Sequence, residues 1–342
     1  MNFKAFLNTL SNKSHTLPIA ILYLTEGCNL KCVMCSYREA FAEELTIDEI
    51  KKLADELEQF GLRHIVYSGG EPLLRKDIVQ ICEIFCSKKI KQTLLSNGLL
   101  LHKRSDEIKN IFDEIIISID GAKAETHDKI RGVKSHEIIL NGIRKVISEN
   151  HKQKISIRTV IQKQNFRELP EFIELAKSLG VQRISFLPSD VSSSAFGRNG
   201  NGTISENDII LNNDEINEFE TLVENVIEKY SDDFASGFMS ESPEKLRRLV
   251  KYFKAVNGKQ DYPKNICNAP MVSAVITSTG EVNPCFFLGS QGNIKQRKLK
   301  EILNLESFQN TRSKVRNFQE ETCRKCVCSI NVSGKSALLN QF

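Results

Sequence analysis

Three cysteines near the beginning of the chain, Cys28, Cys32 and Cys35, are separated by three and then two residues. Thiolates are the usual protein ligands of iron–sulfur clusters, and a four-iron, four-sulfur cube has four corners to be filled. Three ligands from one short loop therefore leave one iron open for a substrate or a cofactor. A structural zinc site is the alternative, although no histidine nearby would complete a tetrahedron of ligands.

A second candidate site is the run Gly69-Gly70-Glu71-Pro72, which follows a β-rich run of residues 64–67. Adjacent glycines let the backbone approach a ligand closely, and Glu71 adds a carboxylate. The same four residues are equally typical of an ordinary turn between a strand and a helix. Their interpretation therefore depends on the elements that surround them.

Both candidate sites follow strands in a chain that alternates β-rich and helical segments, which is typical of βαβ units and a parallel sheet. Six units are fewer than the eight of a closed barrel, so the expected fold class is α/β, a partial (β/α)6 TIM-like barrel over residues 18–190. The carboxyl ends of parallel strands carry the chemistry in such folds, which places both sites at the barrel mouth. The predicted strands are Ile19–Leu24, His64–Tyr67, Gln92–Leu95, Glu114–Ile119, Lys154–Val160 and Arg183–Leu187.

The rest of the sequence divides into shorter segments. A Ser/Gly/Asn-rich stretch, Ser192–Ser205, predicts a flexible connection after the last strand, and Asn213–Lys229 and Ser242–Val256 predict helices. The segments outside the barrel are a lead-in of residues 1–17, a linker and helical segment of residues 191–262, a small cysteine-rich module of residues 263–335 and a tail of residues 336–342.

Two patterns concern the helices of the barrel. Thr46 is the expected N-cap of a helix, with Glu49 as its capping-box partner. Cys82 and Cys86 stand four residues apart on another predicted helix, beside apolar residues at core spacing. We expect these two cysteines to be small buried hydrophobic residues and not ligands.

The composition limits the classes of function. The 342 residues include 47 basic and 43 acidic side chains, a formal charge of +4, which is too even to indicate a nucleic-acid partner. No stretch of eighteen apolar residues predicts a membrane span, and the N-terminal residues do not form a signal peptide. Ten cysteines grouped at close spacing favour metal ligation in a reducing compartment, so we expect a cytoplasmic protein without a membrane partner.

The three-cysteine loop followed by Gly69-Gly70-Glu71-Pro72 resembles the signature of the radical S-adenosylmethionine (SAM) enzymes. This resemblance implies a [4Fe–4S] cluster on Cys28, Cys32 and Cys35, whose open iron binds the amino and carboxylate groups of SAM. Reductive cleavage of SAM then gives methionine and a 5′-deoxyadenosyl radical, which abstracts a hydrogen atom from the substrate. The Gly-Gly-Glu-Pro run would bind the amino group of the methionine moiety.

The resemblance extends along the later strands. Asn97 lies in a Ser-Asn-Gly turn similar to the family's Thr-Asn-Gly turn, and Met34 stands where the family commonly has an aromatic residue beside the adenine. Arg158 could hold the methionine carboxylate. The alternatives are that Asp120 only closes a turn and that Arg158 belongs to a surface ion pair. The remaining expected cofactor contacts are Ser118 as a ribose or methionine contact, Asp120 as a pocket-lining residue and Leu187 beside the adenine.

Five more cysteines lie near the C-terminus, and their spacing resembles the auxiliary-cluster modules called SPASM and twitch. The full SPASM pattern has seven cysteines, so the five here resemble the shorter form with one auxiliary [4Fe–4S] cluster. Four thiolates would saturate that cluster and suit it to electron transfer, whereas a zinc ribbon is the alternative. The expected ligands are Cys267, Cys285, Cys323 and Cys326, with Cys328 as the alternative to Cys326.

The resemblance implies an oxidoreductase that acts on a small polar metabolite such as a sugar, a cyclitol or a nucleotide-linked compound. The auxiliary cluster would accept the second electron, and a flavodoxin- or ferredoxin-type protein would supply the first. A peptide-modifying maturase is the main alternative, although about seventeen residues before the first strand leave no room for a leader-peptide domain. A non-catalytic iron–sulfur electron carrier is the third reading. No general base is evident from the sequence.

Overall fold

The computed structural model describes residues 3–38, 41, 43–149, 152–198, 206–333 and 335–336. Residues 199–205 of the predicted flexible connection and residues 337–342 of the predicted tail lie outside the described residues.

Eight strands form one sheet, and six of them are the predicted strands, each within two residues of the expected ends. They are β1 Ile19–Thr25, β2 His64–Gly69, β3 Lys91–Ser96, β4 Glu114–Ser118, β5 Lys154–Ile161, β6 Arg183–Pro188, β7 Ser273–Ile276 and β8 Val282–Asn283. Their order in the sheet is β6-β5-β4-β3-β2-β1-β7-β8, and β1 to β6 run parallel. The predicted partial (β/α)6 barrel is therefore confirmed.

The last two strands come from the cysteine-rich segment. β7 pairs in parallel with β1, from Ile19↔Ser273 to Leu22↔Ile276, and β8 turns back antiparallel to β7. This pairing covers the edge of β1 that the six-stranded barrel would leave open. The cysteine-rich segment thus starts as an extension of the barrel sheet, and a module boundary at residue 263 stays a prediction.

Helices connect the strands and form most of the remaining structure. They are α1 Phe3–Leu10, α2 Ile47–Gln59, α3 Ile78–Cys86, α4 Leu101–Arg104, α5 Ala124–Arg131, α6 His136–Ser148, α7 Leu169–Leu179, α8 Glu206–Ile209, α9 Asn213–Lys229, α10 Ser231–Ser236, α11 Pro243–Val256, α12 Ala269–Val272, α13 Leu299–Ile302, α14 Glu306–Arg316 and α15 Glu321–Arg324. In the described part of the chain, no helix is both long and apolar enough to span a membrane.

The predicted caps explain where two helices begin. Thr46 Oγ1 accepts a hydrogen bond from the Glu49 amide at 3.3 Å, while the Glu49 carboxylate accepts one from the Thr46 amide at 2.8 Å. This is the expected capping box at the start of α2. The helix predicted from Ser242 begins one residue later, because Ser242 is its N-cap and accepts a hydrogen bond from the Lys245 amide.

The two faces of the sheet have different partners, and β1 is buried on both of them. Alternate residues such as Ile65, Ile115 and Ile157 pack against the surrounding helices in the main core. The opposite face of β1, with Ile21 and Tyr23, lines the inside of the barrel. There it contacts Cys28 and Cys35 of the first cysteine loop, and Phe286 beside Cys285.

One expectation about the core was half wrong. Cys82 is fully buried in the main core, as predicted, whereas Cys86 is exposed. Cys86 is the last residue of α3, where the helix leaves the core, so helical spacing alone did not determine its burial.

Candidate functional site

The first cysteine loop follows β1 and is fixed to the end of α5 by backbone hydrogen bonds. The Lys31 amide donates to the Arg131 carbonyl at 3.0 Å, and the Val33 amide donates to the Ile130 carbonyl at 2.9 Å. Cys32 is buried, while Cys28 and Cys35 are partly buried. The loop is therefore held in one conformation by an element that is a hundred residues away in sequence.

The three thiols lie near one another and share an environment that disfavours negative charge. Burial raises the pKa of Cys28 to about 11, and the neighbouring Cys32 and Cys35 thiols raise it as well. Burial also raises the pKa of Cys35. Thiolates gathered in such a place need positive charge to compensate them, as the irons of a cluster would provide. The donor set fits a cluster held by three cysteines.

The Gly-Gly run lies directly against this loop. A Cβ atom on Gly69 would stand 2.1 Å from the Thr25 carbonyl oxygen, and one on Gly70 would stand 2.1 Å from the Gly27 carbonyl oxygen. Gly69 also has a φ of +114°, which other residues rarely adopt. The sequence predicted that these glycines allow a close approach. In this structure they lie against the backbone of the first loop.

Glu71 is fully buried and connects the second and third loops. Its carboxylate accepts hydrogen bonds from the Leu73 amide at 3.0 Å, the Ser96 hydroxyl at 2.9 Å and the Asn97 amide at 2.7 Å. Burial raises the pKa of Glu71, and the two amides oppose that effect. A carboxylate has about four acceptor positions, so one remains for a further donor such as an amino group. The adjacent Pro72 is buried and begins a short 3-10 turn.

Asn97 links the third loop to the first. Its amide nitrogen Nδ2 lies 2.8 Å from Asn29 Oδ1 and 3.8 Å from Cys28 Sγ. Asn97 is 7 % exposed, so this contact is sheltered from solvent.

Asp120 and Arg131 form a buried ion pair beside the first loop. Arg131 Nη2 lies 2.7 Å from Asp120 Oδ2, and Arg131 Nη1 lies 3.6 Å from Cys32 Sγ. Asp120 also accepts a hydrogen bond from the Val160 amide at 2.8 Å and has no exposed surface. Asp120 therefore holds a guanidinium against a thiol of the three-cysteine set, and its expected place in the cofactor pocket stays a prediction.

Sequence reasoning missed Arg131 as a residue of the site. The available signal was an arginine at the end of a short helix, directly before Gly132. A Cβ atom at Gly132 would stand 2.5 Å from the Lys31 carbonyl oxygen, so this glycine lets α5 meet the first loop. His127, expected to be structural, is fully buried and accepts a hydrogen bond from the Asp120 amide. Burial lowers the pKa of His127 to about 2, with Arg131 and His136 adding to the effect.

The other expected cofactor contacts spread across the barrel interior. Ser118 on β4 is the register partner of Arg158 on β5, and Arg158 Nε donates to Ser185 Oγ on β6 at 3.2 Å. Arg158 and Leu187 line a pocket that also contains Cys328. Met34 is partly buried in the first loop. Arg158 thus lies beside the second cysteine set, and the described residues give it no ion pair.

All five C-terminal cysteines line one cavity, whose wall also includes Ile21 and Phe286 from the barrel side. Burial raises the pKa of Cys285 and of Cys323 to about 12 in each case. Within the described residues, no three Cys, His, Asp or Glu side chains meet around a single-ion position. Both Cys326 and Cys328 reach the cavity, which therefore offers five thiols to one group.

Comparison with known proteins agrees with this arrangement of domains. Residues 22–176 match the model of the radical SAM superfamily, and residues 267–327 match the SPASM model, an iron–sulfur cluster-binding domain. The chain therefore contains a radical SAM domain and a C-terminal SPASM domain. These domains imply SAM with a [4Fe–4S] cluster in the barrel and an auxiliary iron–sulfur cluster in the SPASM domain. Iron–sulfur cofactors are thus favoured over zinc, and the assignment of individual cysteines as ligands stays a prediction.

Particular relatives differ in what they make. The chain is 34 % identical over 176 residues to an Fe-coproporphyrin III synthase of Methanosarcina barkeri, an alignment covering 49 % of this chain and 43 % of that protein. It is 32 % identical over 173 residues to a probable GTP 3′,8-cyclase of Methanocaldococcus jannaschii, covering 48 % and 57 %. The chain spans about half the length of the curated relatives it matches.

Among solved structures, the fold is similar to SuiB of Streptococcus suis bound to S-adenosylmethionine. The TM-score is 0.67 at 17 % identity, and the match covers 94 % of this chain and 75 % of SuiB. SuiB has also been solved with its precursor peptide SuiA. At this level of identity the likeness shows a shared fold.

Proposed function

We propose that this protein is a radical SAM oxidoreductase that abstracts a hydrogen atom from a small polar metabolite. The observation that carries the proposal is that both cysteine sets border the same barrel interior. Cys28 and Cys35 pack against the hydrophobic cluster formed by the inner face of β1, and the ring of Tyr23 in that cluster lies 6.1 Å from that of Phe286, next to Cys285. A substrate inside the barrel would lie between the two sets, as an oxidation with an electron acceptor requires.

The residues around the first loop have distinct roles in this proposal. Cys28, Cys32 and Cys35 would hold the cluster, and the remaining acceptor position of Glu71 would take the amino group of SAM. Gly69, Gly70 and Pro72 fix that carboxylate, while Asn97 orients the first loop. Ser118, Met34 and Leu187 would contact the ribose and adenine parts of SAM. Asp120 would act as a positioning residue through Arg131. Arg158, which the resemblance assigns to the methionine carboxylate, would instead face the reaction space, because it lines the pocket that contains Cys328.

When bound, SAM and the cluster supply a 5′-deoxyadenosyl radical, and the auxiliary cluster accepts the second electron of the substrate. The protein's own contribution is to hold these groups and exclude water. The buried network of Glu71, Asp120 and Arg131 keeps three loops in place, and the inner face of β1 provides an apolar wall. The expected ligands of the auxiliary cluster are Cys267, Cys285, Cys323 and Cys326.

The proposed substrate class is a small molecule, in keeping with relatives whose names give a coproporphyrin and a nucleotide as products or substrates. The alternative is a peptide, as bound by SuiB. We propose an electron donor of the flavodoxin or ferredoxin type, and a cytoplasmic location.

The test is to reconstitute the protein with iron and sulfide in the absence of oxygen and to add dithionite and SAM. We expect release of 5′-deoxyadenosine, measured by liquid chromatography with mass detection. Deuterated small-molecule candidates should transfer deuterium into that product, whereas candidate peptides should not. If no 5′-deoxyadenosine forms with any candidate, the proposal is rejected. Deuterium transfer from a peptide alone would replace the small-molecule substrate by a peptide.

A further inference from the structure

We propose that the substrate carries an anionic group, a phosphate or a carboxylate, which binds in a basic pocket between the barrel and the SPASM domain. This inference rests on the proposed function and names its substrate class. The basic pocket is the space lined by Arg158, Leu187, Lys245, Arg248, Tyr252 and Cys328.

Positive side chains in the basic pocket have few anionic partners. Arg158 comes from β5, and Lys245 and Arg248 come from the first two turns of α11. Arg158 donates to the Ser185 hydroxyl at 3.2 Å, and Arg248 donates to the Asn265 side-chain carbonyl at 3.3 Å. Over the residues that the structure describes, none of these three cations has a carboxylate within 4.0 Å. Their charge is thus available to a ligand.

The basic pocket contains one carboxylate, Glu241, and it is already engaged. Glu241 Oε2 accepts a hydrogen bond from the Phe186 amide at 2.9 Å. Burial raises the pKa of Glu241, which Arg158 and Lys245 oppose from a longer distance. One carboxylate against four cations, Arg158, Lys245, Arg248 and Arg324, leaves an excess of positive charge. Arg158 and Arg248 are half-buried, and partly desolvated cations attract anions more strongly than cations in bulk water do.

Tyr252 also lines the basic pocket. Tyr252 Oη is inaccessible to solvent, and its ionisable neighbours include Asp190 and Arg198, which lie outside the lining of the basic pocket. Tyr252 therefore contributes its ring to the wall, and only the cations indicate a ligand.

The size and place of the basic pocket suit one anionic group of a larger substrate. Its volume is about 170 Å³, several times the ~30 Å³ that a water molecule occupies in the liquid. Arg158 lies on the inner side of the barrel, and Cys328 belongs also to the wall of the auxiliary cavity. An anion bound here would leave the rest of its molecule in the barrel interior, between the two cysteine sets.

The experiment measures anion binding to the reconstituted holoprotein by isothermal titration calorimetry. The two probes are inorganic pyrophosphate and tricarballylate, which stand for phosphate and carboxylate groups. We expect one of them to bind, and the variant Lys245→Gln/Arg248→Gln to weaken that binding at least tenfold. Preferred binding of pyrophosphate would assign a phosphate, and preferred binding of tricarballylate would assign a carboxylate.

The matched control is Arg247→Gln, which removes the same charge from the same helix. Arg247 faces outward and pairs with Glu224 at 2.7 Å, so its loss should leave anion binding unchanged. Binding of neither probe would overturn the inference, and so would equal weakening by Arg247→Gln, since that indicates attraction by net charge alone.

The same preparations separate the inference from the proposed function. Wild-type protein and Arg247→Gln are assayed for 5′-deoxyadenosine release without substrate. Release without anion binding rejects the basic pocket and leaves radical SAM chemistry standing. Anion binding without any release, in the presence of candidate substrates, rejects the proposed function and with it the assignment of the pocket to a substrate.

Discussion

The two cysteine sets differ in how their sulfur atoms are surrounded. In the first loop, side chains from distant parts of the chain approach the sulfurs: Arg131 Nη1 at Cys32 and Asn97 Nδ2 at Cys28. In the SPASM domain, the donors are backbone amides two residues further along the chain. These are the amides of Ala269 to Cys267, Phe287 to Cys285 and Cys328 to Cys326.

This difference concerns how the protein sets the properties of each cluster, by tertiary contacts or by contacts within a turn. Hydrogen bonds and charge near the sulfurs help to set the reduction potential of an iron–sulfur cluster. The barrel therefore adjusts the first cluster through residues that the fold brings to it. Around the second cluster, amides of its own turns approach three sulfurs, and the distant cations Arg158 and Lys245 lie near Cys328. Substitutions at Arg131 or Asn97 should therefore change the first cluster, and substitutions in the turns of the SPASM domain should change the second.

The largest expected effect is on the first loop. Cys32→Ala removes the buried thiol and one of three cluster ligands, so we expect 5′-deoxyadenosine release to fall below detection and the iron content to fall with it. The matched control is Cys86→Ala, which removes an exposed thiol outside both sets. Normal release from the Cys32 variant would show that the first loop does not hold the cluster that cleaves SAM.

Substitutions in the second set should separate 5′-deoxyadenosine release from net substrate oxidation, whereas substitutions in the first set should affect both. Cys326→Ala should preserve 5′-deoxyadenosine release, because the first loop is untouched, and should abolish net substrate oxidation. Cys328→Ala is the matched comparison, since both cysteines line the cavity. Product analysis with a deuterated substrate distinguishes them. If Cys326→Ala turns over normally while Cys328→Ala does not, then Cys328 is the fourth ligand.

The next prediction tests whether Arg131, distant in sequence, affects the first cluster. Arg131→Gln leaves Asp120 buried without its partner, and breaking such an ion pair costs about 3–5 kcal/mol. We expect denaturant unfolding to show that loss and the double variant Asp120→Asn/Arg131→Gln to recover part of it. Loss of a positive charge at Cys32 should also lower the reduction potential of the first cluster, measured by redox titration with electron paramagnetic resonance.

The exposed pair of Arg247 and Glu224 provides the control for that prediction. Arg247→Gln also removes one guanidinium, but this ion pair is exposed, and water screens such pairs so that they contribute little to stability. An unchanged cluster potential in Arg131→Gln, with normal iron content, would contradict the idea that the barrel sets the potential through this residue.

The same contrast explains what the sequence could predict. Periodicity and turn residues located the six parallel strands and the capping box of α2, because those features depend on neighbouring residues. The second cysteine set was found for the same reason, since its turns are local. Arg131 was missed because its position depends on α5 meeting a loop a hundred residues earlier, and so was its ion pair with Asp120.

The two extra strands, β7 and β8, show a second limit of prediction from the sequence. β7 has four residues and β8 has two, too few for a periodic pattern, and they join the sheet by pairing β7 with β1 and β8 with β7. The alternation of helix and strand also gave no sign that Arg158 would lie beside Cys328. Contacts between the barrel and the SPASM domain join residues far apart in sequence, so the spacing of residues along the chain does not predict these contacts.

The smallest expected effect tests how a side chain 61 residues before Cys326 supports the second cysteine set. Asn265 is 8 % exposed, and its Nδ2 lies 3.4 Å from the Cys326 carbonyl oxygen and 3.2 Å from that of Cys328. Because both bonds are long, Asn265→Ala should cost only about 1 kcal/mol. We expect faster hydrogen exchange around residues 323–330 and an altered resonance of the auxiliary cluster, with no change in the first.

The matched control is Asn257→Ala, which also removes bonds to two carbonyls, those of Leu211 and Phe253, outside the SPASM domain. This variant should lose similar stability and leave both cluster resonances unchanged. If Asn265→Ala changed the first cluster as much as the second, the two sulfur environments would be coupled. The proposed difference between the surroundings of the two cysteine sets would then be wrong.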